Sequence, residues 1–599
     1  MPLLAISEGQ IRQNASTTSF SAGLASYEQG AVRSLVTRGN VLTIEVEIPT
    51  ATPFQVRCTF DAAGLTRVAC GCSDSTPPGY WCEHIVAGLL ACARRPERVV
   101  ERPVLAAVLA DLDPEQLRTL LLTLVAEDPD LAAAIERRLP AAGGVSTAPP
   151  RRIAPDFSSV RRGIRSHLRE RFQYESWDDD SGVLEEDDSF DQVRLLITEG
   201  DAPTALALLG VITDEYLKGL EDVEDDHETL FDSLGWLWAE ALLATEITEQ
   251  DRRAWVTRLT AWRGKLAEFG GGSSLDVAIA AAEQGWEYPP LVRVLRGEIT
   301  DQGAWDGDRP DCADELSGVR LQILERQGRM QEYLYLAEAE GQALLYVLML
   351  VRLGRAADAV DYWRDCQGIQ PSDTLTLATA LREAGDLERA LLVAELGLAL
   401  PPSEPGIMEY AEPMAHGSKG RLAAWLRDLA RGMGRTEQAL AAALVAFEEH
   451  ATLANYLQIS ELAGETWPRH RLRLLDRLRQ TPTYMVNDRV DIYLHEGLLE
   501  DAMSLADQQQ YSYTLVRQVV DAVLTTHPDW AIRASRAQAE PIMNGAKSKY
   551  YHHAANWLAT ARMAYLAAGH EAEWQAYREE LLVQHKRKHS LIPLIKGLG

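Results

Sequence analysis

The chain has 599 residues, 46% hydrophobic and 25% charged, the balance of a folded protein long enough for several domains or one long array. Its start lacks a basic, apolar leader, and no apolar run approaches the roughly 20 residues that a bilayer requires, so a cytoplasmic protein without a membrane span is expected. The net charge of −29 is unevenly spread: residues 1–100 hold eight Lys/Arg and eight Asp/Glu, leaving 51 and 80 for the rest. So acidic a remainder repels phosphate backbones, and nucleic acid would need a local patch.

Taken in chain order, Val32 to Thr37, Val41 to Ile48 and Phe54 to Phe60 read as strands. Leu42, Ile44, Val46 and Ile48 alternate with Thr43, Glu45 and Glu47, the pattern of a half-buried strand. Gly39-Asn40 and Asp61-Ala62-Ala63-Gly64 supply turns. Leu65 to Ala69 reads as a further strand that delivers Cys70 and Cys72. Ser73 to Gly79 is turn-rich, and His84 to Ala91 reads as an apolar helix with Cys82 and His84 at its N-terminus.

Cys70-Gly71-Cys72 and Cys82-Glu83-His84, nine residues apart, place three thiols and one imidazole in C-x-C-x9-C-x-H spacing. Four such ligands close a tetrahedral shell and leave no position for water or substrate. One structural Zn2+ held by Cys70, Cys72, Cys82 and His84 is therefore predicted, and zinc catalysis is not. The helix N-terminus favours a thiolate at Cys82. A Cys70–Cys72 disulfide would close a strained ring. Cys58, Cys92, Cys312 and Cys366 are scattered, and the odd total of seven fits free thiols in a reducing compartment. A core this small needs a staple, and the metal supplies it.

Residues 103–139 read as two short helices broken near Asp113-Pro114 and Asp128-Pro129. Ala141 to Pro155 is rich in Pro, Gly and Ala and reads as a linker. Val160, Ile164, Leu168 and Phe172 then make one helical stripe, with Arg161, Arg162, Arg165, Arg169 and Arg171 on the other faces. An acidic run from Asp178 to Asp191 follows. Arg161, Arg162, Arg165 and Arg169, with Arg151 and Arg152 before them, are the candidate nucleic-acid contacts. The plainer reading, a solvated amphipathic helix before a charged loop, is the favoured one. The acidic run is not an EF-hand, because Gly182 and Val183 fall where a ligand and the turn glycine belong.

From about residue 190 a glycine is repeatedly followed, five residues on, by a small or apolar pair. Gly200 precedes Ala205-Leu206, Gly354 precedes Ala359-Val360, and Gly385 precedes Ala390-Leu391. Gly434 with Ala439-Leu440 and Gly497 with Ala502-Met503 continue the pattern, and Gly328 with Tyr333-Leu334 is a looser copy. Glycine in the left-handed conformation ends one helix, and the next begins two or three residues later. This is the logic of helix-hairpin solenoids such as tetratricopeptide repeats, although the spacing is irregular and a non-repeating bundle is the alternative. The expected fold is mostly α: a small N-terminal β-plus-helix zinc module at 1–100, a short helical segment at 101–140, a linker with the arginine helix and acidic run at 141–190, and an α-helical, TPR-like solenoid at 191–599.

Residues 20 to 95 resemble the SWIM-type zinc finger, whose motif is C-x-C, a variable gap, then C-x-H. Tyr27-Glu28-Gln29-Gly30-Ala31-Val32 looks like the aromatic-and-glycine entry of that family, and Ile85 to Ala91 like its apolar helix. Where the family commonly has a basic residue between the last Cys and His, this chain has Glu83, which counts against nucleic-acid binding at that point. Ala554 to Trp574 and His585-Lys586-Arg587-Lys588 look like the helical tail of larger bacterial SWIM proteins. The resemblance implies a zinc module used for DNA or protein contact, found in some cases near helicase-like remodelling ATPases and transposases.

There is no Walker A loop, H-E-x-x-H, G-x-S-x-G or dinucleotide fingerprint, so no catalytic residue is nominated. His552-His553 point about 100° apart on a helix and read as packing and surface residues rather than ligands. Asp306, Asp308, Asp311 and Asp314 are discounted as a cation site. His585 to His589 reads either as a contact for an anionic partner or, the favoured reading, as charge compensation at the C-terminal end of its own helix. The functional expectation is a zinc-binding, non-catalytic interaction protein whose helical array binds a protein partner. The alternative is a DNA- or RNA-binding accessory factor acting with a remodelling ATPase.

Overall fold

The structure, a computed structural model, describes residues 6–47, 53–72, 81–127 apart from 111, 157–173, 188–219, 228–268 apart from 246, 272–400 apart from 367, 414–480, 487–545 and 548–598. The linker at 141–155, Arg151, Arg152 and nearly all of the acidic run lie outside these residues.

Alternation of apolar and polar side chains makes the first elements strands. β1 (Val32–Arg38), β2 (Val41–Val46), β3 (Phe54–Asp61) and β4 (Gly64–Cys70) form an antiparallel meander, and β5 (Val100–Arg102) adds to β1 in parallel, giving the order β4-β3-β2-β1-β5. Leu42, Ile44 and Val46 of β2 are buried, while Thr43 and Glu45 face the other way. In the β3–β4 turn the Ala63 N–H donates to Asp61 Oδ1 at 2.8 Å. Three helices complete this core: α1 (Glu8–Gln13), α2 (Thr17–Glu28) and α3 (Glu83–Arg94). α3 buries every residue from His84 to Cys92. α2 packs so close to it that a Cβ on Gly23 would lie 2.6 Å from Val86.

Beyond β5 every regular element among the described residues is helical, so the protein is mostly α with a small N-terminal sheet. The glycine signature marks real boundaries. Gly200, Gly328, Gly354, Gly385, Gly434 and Gly497 all have φ between 70° and 84°. In each case the next helix begins two residues on, and the residue after the glycine donates its N–H to the carbonyl five positions back, as Arg355 does to Leu350 at 2.8 Å and Asp386 to Leu381 at 2.9 Å. That is the closing bond of a Schellman cap. Ala205, Ala359, Ala390, Ala439 and Ala502, the small residues of the signature, are completely buried. Gly341 and Gly569, which are not among the glycines of the signature, make the same cap through Gln342 to Ala337 and His570 to Tyr565.

The chain forms two compact units. One comprises Met1–Pro114, Gln370–Leu375 and Leu391–Gly599; the other comprises Glu115–Ile369 and Thr376–Ala390. Within the first, the N-terminal module packs against the later helices. α1 touches the helix Leu453–Ala463, where a Cβ on Gly9 would meet Gln458 Nε2 at 2.8 Å. The β3–β4 turn abuts the end of the helix Met414–Gly432 so closely that a Cβ on Gly432 would lie 1.7 Å from the Ala63 carbonyl oxygen. No helix among the described residues is long and apolar enough to cross a membrane.

Candidate metal centre

Two chain segments converge to make the site. β4 ends at Cys70, and the Gly71 N–H donates to the Gln55 carbonyl at 3.0 Å, so pairing with β3 continues through the first ligand pair. On the other side the Trp81 N–H donates to the Asn14 carbonyl at 2.7 Å and fixes the approach to α3. Cys82 is the N-cap of α3, its carbonyl accepting from the Val86 N–H at 3.1 Å, and His84 is the second residue of the helix.

The ligand atoms of Cys70, Cys72, Cys82 and His84 all lie within 4.8 Å of one another, and this is the single such group of metal-ligating side chains among the described residues. Cys82 Sγ lies 3.8 Å from His84 Nδ1. A tetrahedral zinc with bonds of about 2.3 Å to sulfur and about 2.0 Å to nitrogen sets that edge at about 3.5 Å, so the spacing fits a bound ion with little adjustment. Cys82 and His84 are buried and Cys70 and Cys72 half-buried. The Phe54 ring lies against the imidazole, centroids 4.3 Å apart. His84 Nε2 is buried without a hydrogen-bond partner, with Glu83 Oε1 3.7 Å away. Nδ1 facing the sulfurs and Nε2 facing away is the arrangement of an imidazole that ligates through Nδ1.

Among these thiols Cys82 is the one set up for deprotonation. A hydrogen bond from the Cys70 thiol is the main cause that holds Cys82 far below the usual thiol range. Burial opposes it, and the imidazole of His84, the N–H of Ile85 and Cys72 assist. Cys70 is correspondingly pushed up, first by that same bond and then by burial, although the Cys72 N–H acts to lower it. Cys58 and Cys92, buried in the same core, are inert by contrast. Burial pushes both thiols up to about 12.

The other residues singled out in the sequence fall elsewhere. Arg161 and Arg165 lie on the helix Phe157–Gln173 and converge on one buried carboxylate: Arg165 Nε donates to Glu215 Oε2 at 2.6 Å, and Arg161 Nε is 3.8 Å from Oε1. Arg162 is exposed on the same helix. Arg169 lies on it too, with a side chain outside the described set. Glu215 carried no signal in the sequence, since it stands 50 positions from Arg165 on another helix. His552 and His553 stack on each other, ring centroids 3.9 Å apart. Asp314 accepts from Arg309 at 2.5 Å, and its aspartate neighbours form no metal-ligating group. Lys588 serves a different helix from the one expected: its ammonium donates to the Met543 carbonyl, at the C-terminal end of Pro528–Asn544 rather than of Glu571–Gln584.

No protein-family model matches the chain, and no curated protein matches it significantly.

Proposed function

We propose that this is a zinc-binding, non-catalytic interaction protein of the cytoplasm, built from a SWIM-like finger and a TPR-like helical array that holds a protein partner. The observation that carries the reading is the donor set: three sulfurs and one imidazole nitrogen within 4.8 Å make a closed, soft shell suited to Zn2+ in a structural role. The seven cysteines, none of them in a disulfide, suit a reducing compartment. The repeated glycine caps with buried alanines support an array of helix hairpins, a scaffold that offers extended grooves.

The alternative, a nucleic-acid accessory factor that works with a remodelling ATPase through the arginine helix, is the weaker reading. Arg161 and Arg165 are spent on Glu215, an internal role that already accounts for them.

Two measurements on the tagged full-length protein from its own cells test the proposal. Elemental analysis is expected to give one zinc per chain, and a protein partner is expected to remain bound after nuclease treatment. Absence of zinc overturns the metal assignment. Partners that all depart with nuclease overturn the scaffold in favour of the alternative.

A further inference from the structure

Aromatic side chains in this molecule are mostly buried or half-buried. Among the described residues three are exposed, and all three lie in the C-terminal helical region: Tyr511, which projects fully into solvent from a turn, Tyr513 and Tyr550. Tyr513 opens the helix Tyr513–Val523, and Tyr550 immediately precedes the helix Tyr551–Ala567. His553 sits between them, its ring 6.2 Å from that of Tyr513 and 6.3 Å from that of Tyr550, with exposed His552 stacked beside it. Below, the buried Trp557 ring meets Tyr513 edge-on at 5.0 Å and fixes it in place.

The surroundings are basic, against the grain of the molecule. Residues 541–570 contain no Asp or Glu, and residues 541–599 carry eight Lys/Arg against four Asp/Glu in a chain whose net charge is −29. Lys549 Nζ lies 4.9 Å from the centre of the Tyr550 ring. Arg517 lies over Trp557, though Asp521 pairs with it at 3.0 Å. The turn at 585–589 borders the same corner. Lys588 donates to the Met543 carbonyl, and two residues further on the Gly545 carbonyl accepts from the Tyr551 hydroxyl at 3.2 Å. Lys586 and Arg587 stand exposed on that turn. Among the described residues no carboxylate pairs with them or with Lys549.

We propose that this aromatic and basic surface binds single-stranded nucleic acid, with bases stacked on Tyr511, Tyr513 and Tyr550 and phosphates facing Lys549, Lys586 and Arg587. Exposed rings give every base a face to stack on, whatever the sequence, and neighbouring cations follow the backbone. Stacking needs unpaired bases, so a duplex gains only the ionic part. The acidic remainder of the chain does not forbid this, because its field is screened beyond about 8 Å at physiological salt. Proline-rich peptides also dock on aromatic surfaces, but cations that no described carboxylate pairs with, beside an Asp521 already taken by Arg517, favour a polyanion. The site uses neither the metal centre nor the arginine helix, so it goes beyond the function proposed above and fails independently of it.

The test is fluorescence anisotropy of the purified full-length protein with a labelled oligothymidylate of about 20 nucleotides, a length that covers a typical single-strand site. Binding is expected at about 50 mM salt and should weaken steeply by about 200 mM. A duplex of the same length should bind at least several-fold more weakly. Tyr511→Ala with Tyr550→Ala should weaken the single-strand complex roughly tenfold or more while the melting temperature stays put, because both rings are exposed. Lys586→Glu with Arg587→Glu should weaken it and flatten its salt dependence. The proposal is overturned by absence of binding at the lower salt, by equal affinity for duplex, by indifference to the tyrosine pair, or by capture of an oligoproline peptide in place of the oligonucleotide.

Discussion

Cys82 is both a candidate metal ligand and the N-cap of α3, and serine separates the two roles. A serine hydroxyl caps a helix well but is a poor zinc ligand. Cys82→Ser therefore leaves the start of α3 intact and removes one donor of four. Structural zinc sites supply on the order of 10 kcal/mol to the folding of their modules. Zinc content is expected to fall from one per chain to near zero, and the α3 core to lose its cooperative melting. Unchanged zinc and melting after this substitution would sink the metal assignment. Cys58→Ala is the control. It deletes a fully buried thiol of the same core, so it should cost about 1–2 kcal/mol and leave zinc at one per chain. Glu215 makes a second case, governed by pH. Burial pushes its carboxyl up, but hydrogen bonds from Arg165 and Lys218 outweigh this and hold it below the usual carboxylate range. A depressed folded-state pKa contributes stability above the ordinary carboxylate value, and that stability is lost as pH falls through the depressed one. Glu215→Gln should thus lower stability by about 1 kcal/mol at pH 7, a figure kept small because both cations are half-exposed. The difference between the two proteins in urea unfolding should shrink as pH falls below about 4. A difference that is constant from pH 7 to pH 3 would refute the charge argument.

At the scale of elements, the glycines divide into two kinds with opposite expected effects. Gly354 has φ 75° and closes a helix, a conformation in which a Cβ costs about 1–2 kcal/mol. Gly264 lies inside the helix Glu249–Ala267 with nothing within 4 Å of an added Cβ, so alanine there should gain about 0.5–1 kcal/mol of helix propensity. Both belong to the same compact unit, so Gly354→Ala should lower, and Gly264→Ala raise, the same melting transition. Two shifts of one sign would contradict the assignment of these ends. Glycine caps are legible in sequence because a positive φ is a local demand on one residue. Gly569 escaped because Trp574-Gln575 stands five positions on, where the pattern has a small or apolar pair, whereas Gly341 with Tyr346-Val347 is as loose a copy as Gly328. Strands β1 to β3 are legible through their alternation. β5 is not, since its three residues are all exposed and it exists through parallel pairing with β1. α1 and α2 went unread although Ser7 and Gln10 form a capping box, because the few apolar side chains that follow trace no long stripe. The metal ligands could be read because each pair lies within three residues. Phe54 and Gln55, which support them, come from β3: pairing with β4 sets the Gln55 carbonyl beside Gly71, and Phe54 lies against His84 of α3.

For the whole molecule, chain order is a poor guide to which parts belong together. Two segments separate the N-terminal module from the long helical region in sequence, yet residues 1–114 share a compact unit with residues 391–599. The contact that joins them has no slack. The Ala63 carbonyl and the Cα of Gly432 meet where a Cβ would sit 1.7 Å from a backbone oxygen, and a backbone cannot swing aside as the tip of a long side chain does. Gly432→Val must therefore push the β3–β4 turn off the helix Met414–Gly432, at a cost of about 1–3 kcal/mol. The four ligands are not part of that contact, so zinc should stay at one per chain. The melting of the first unit should become broader or split, as the module and the helices lose their common transition. A single unchanged transition would mean that the two parts melt together for some other reason. If the split is seen, metal loss at Cys70, Cys72, Cys82 and His84 acquires a longer reach. A module that unfolds without its ion also withdraws the Ala63 turn from Gly432 and α1 from the helix Leu453–Ala463. The Cys82→Ser protein should then melt its later helices earlier than the wild type, although none of them touches the metal.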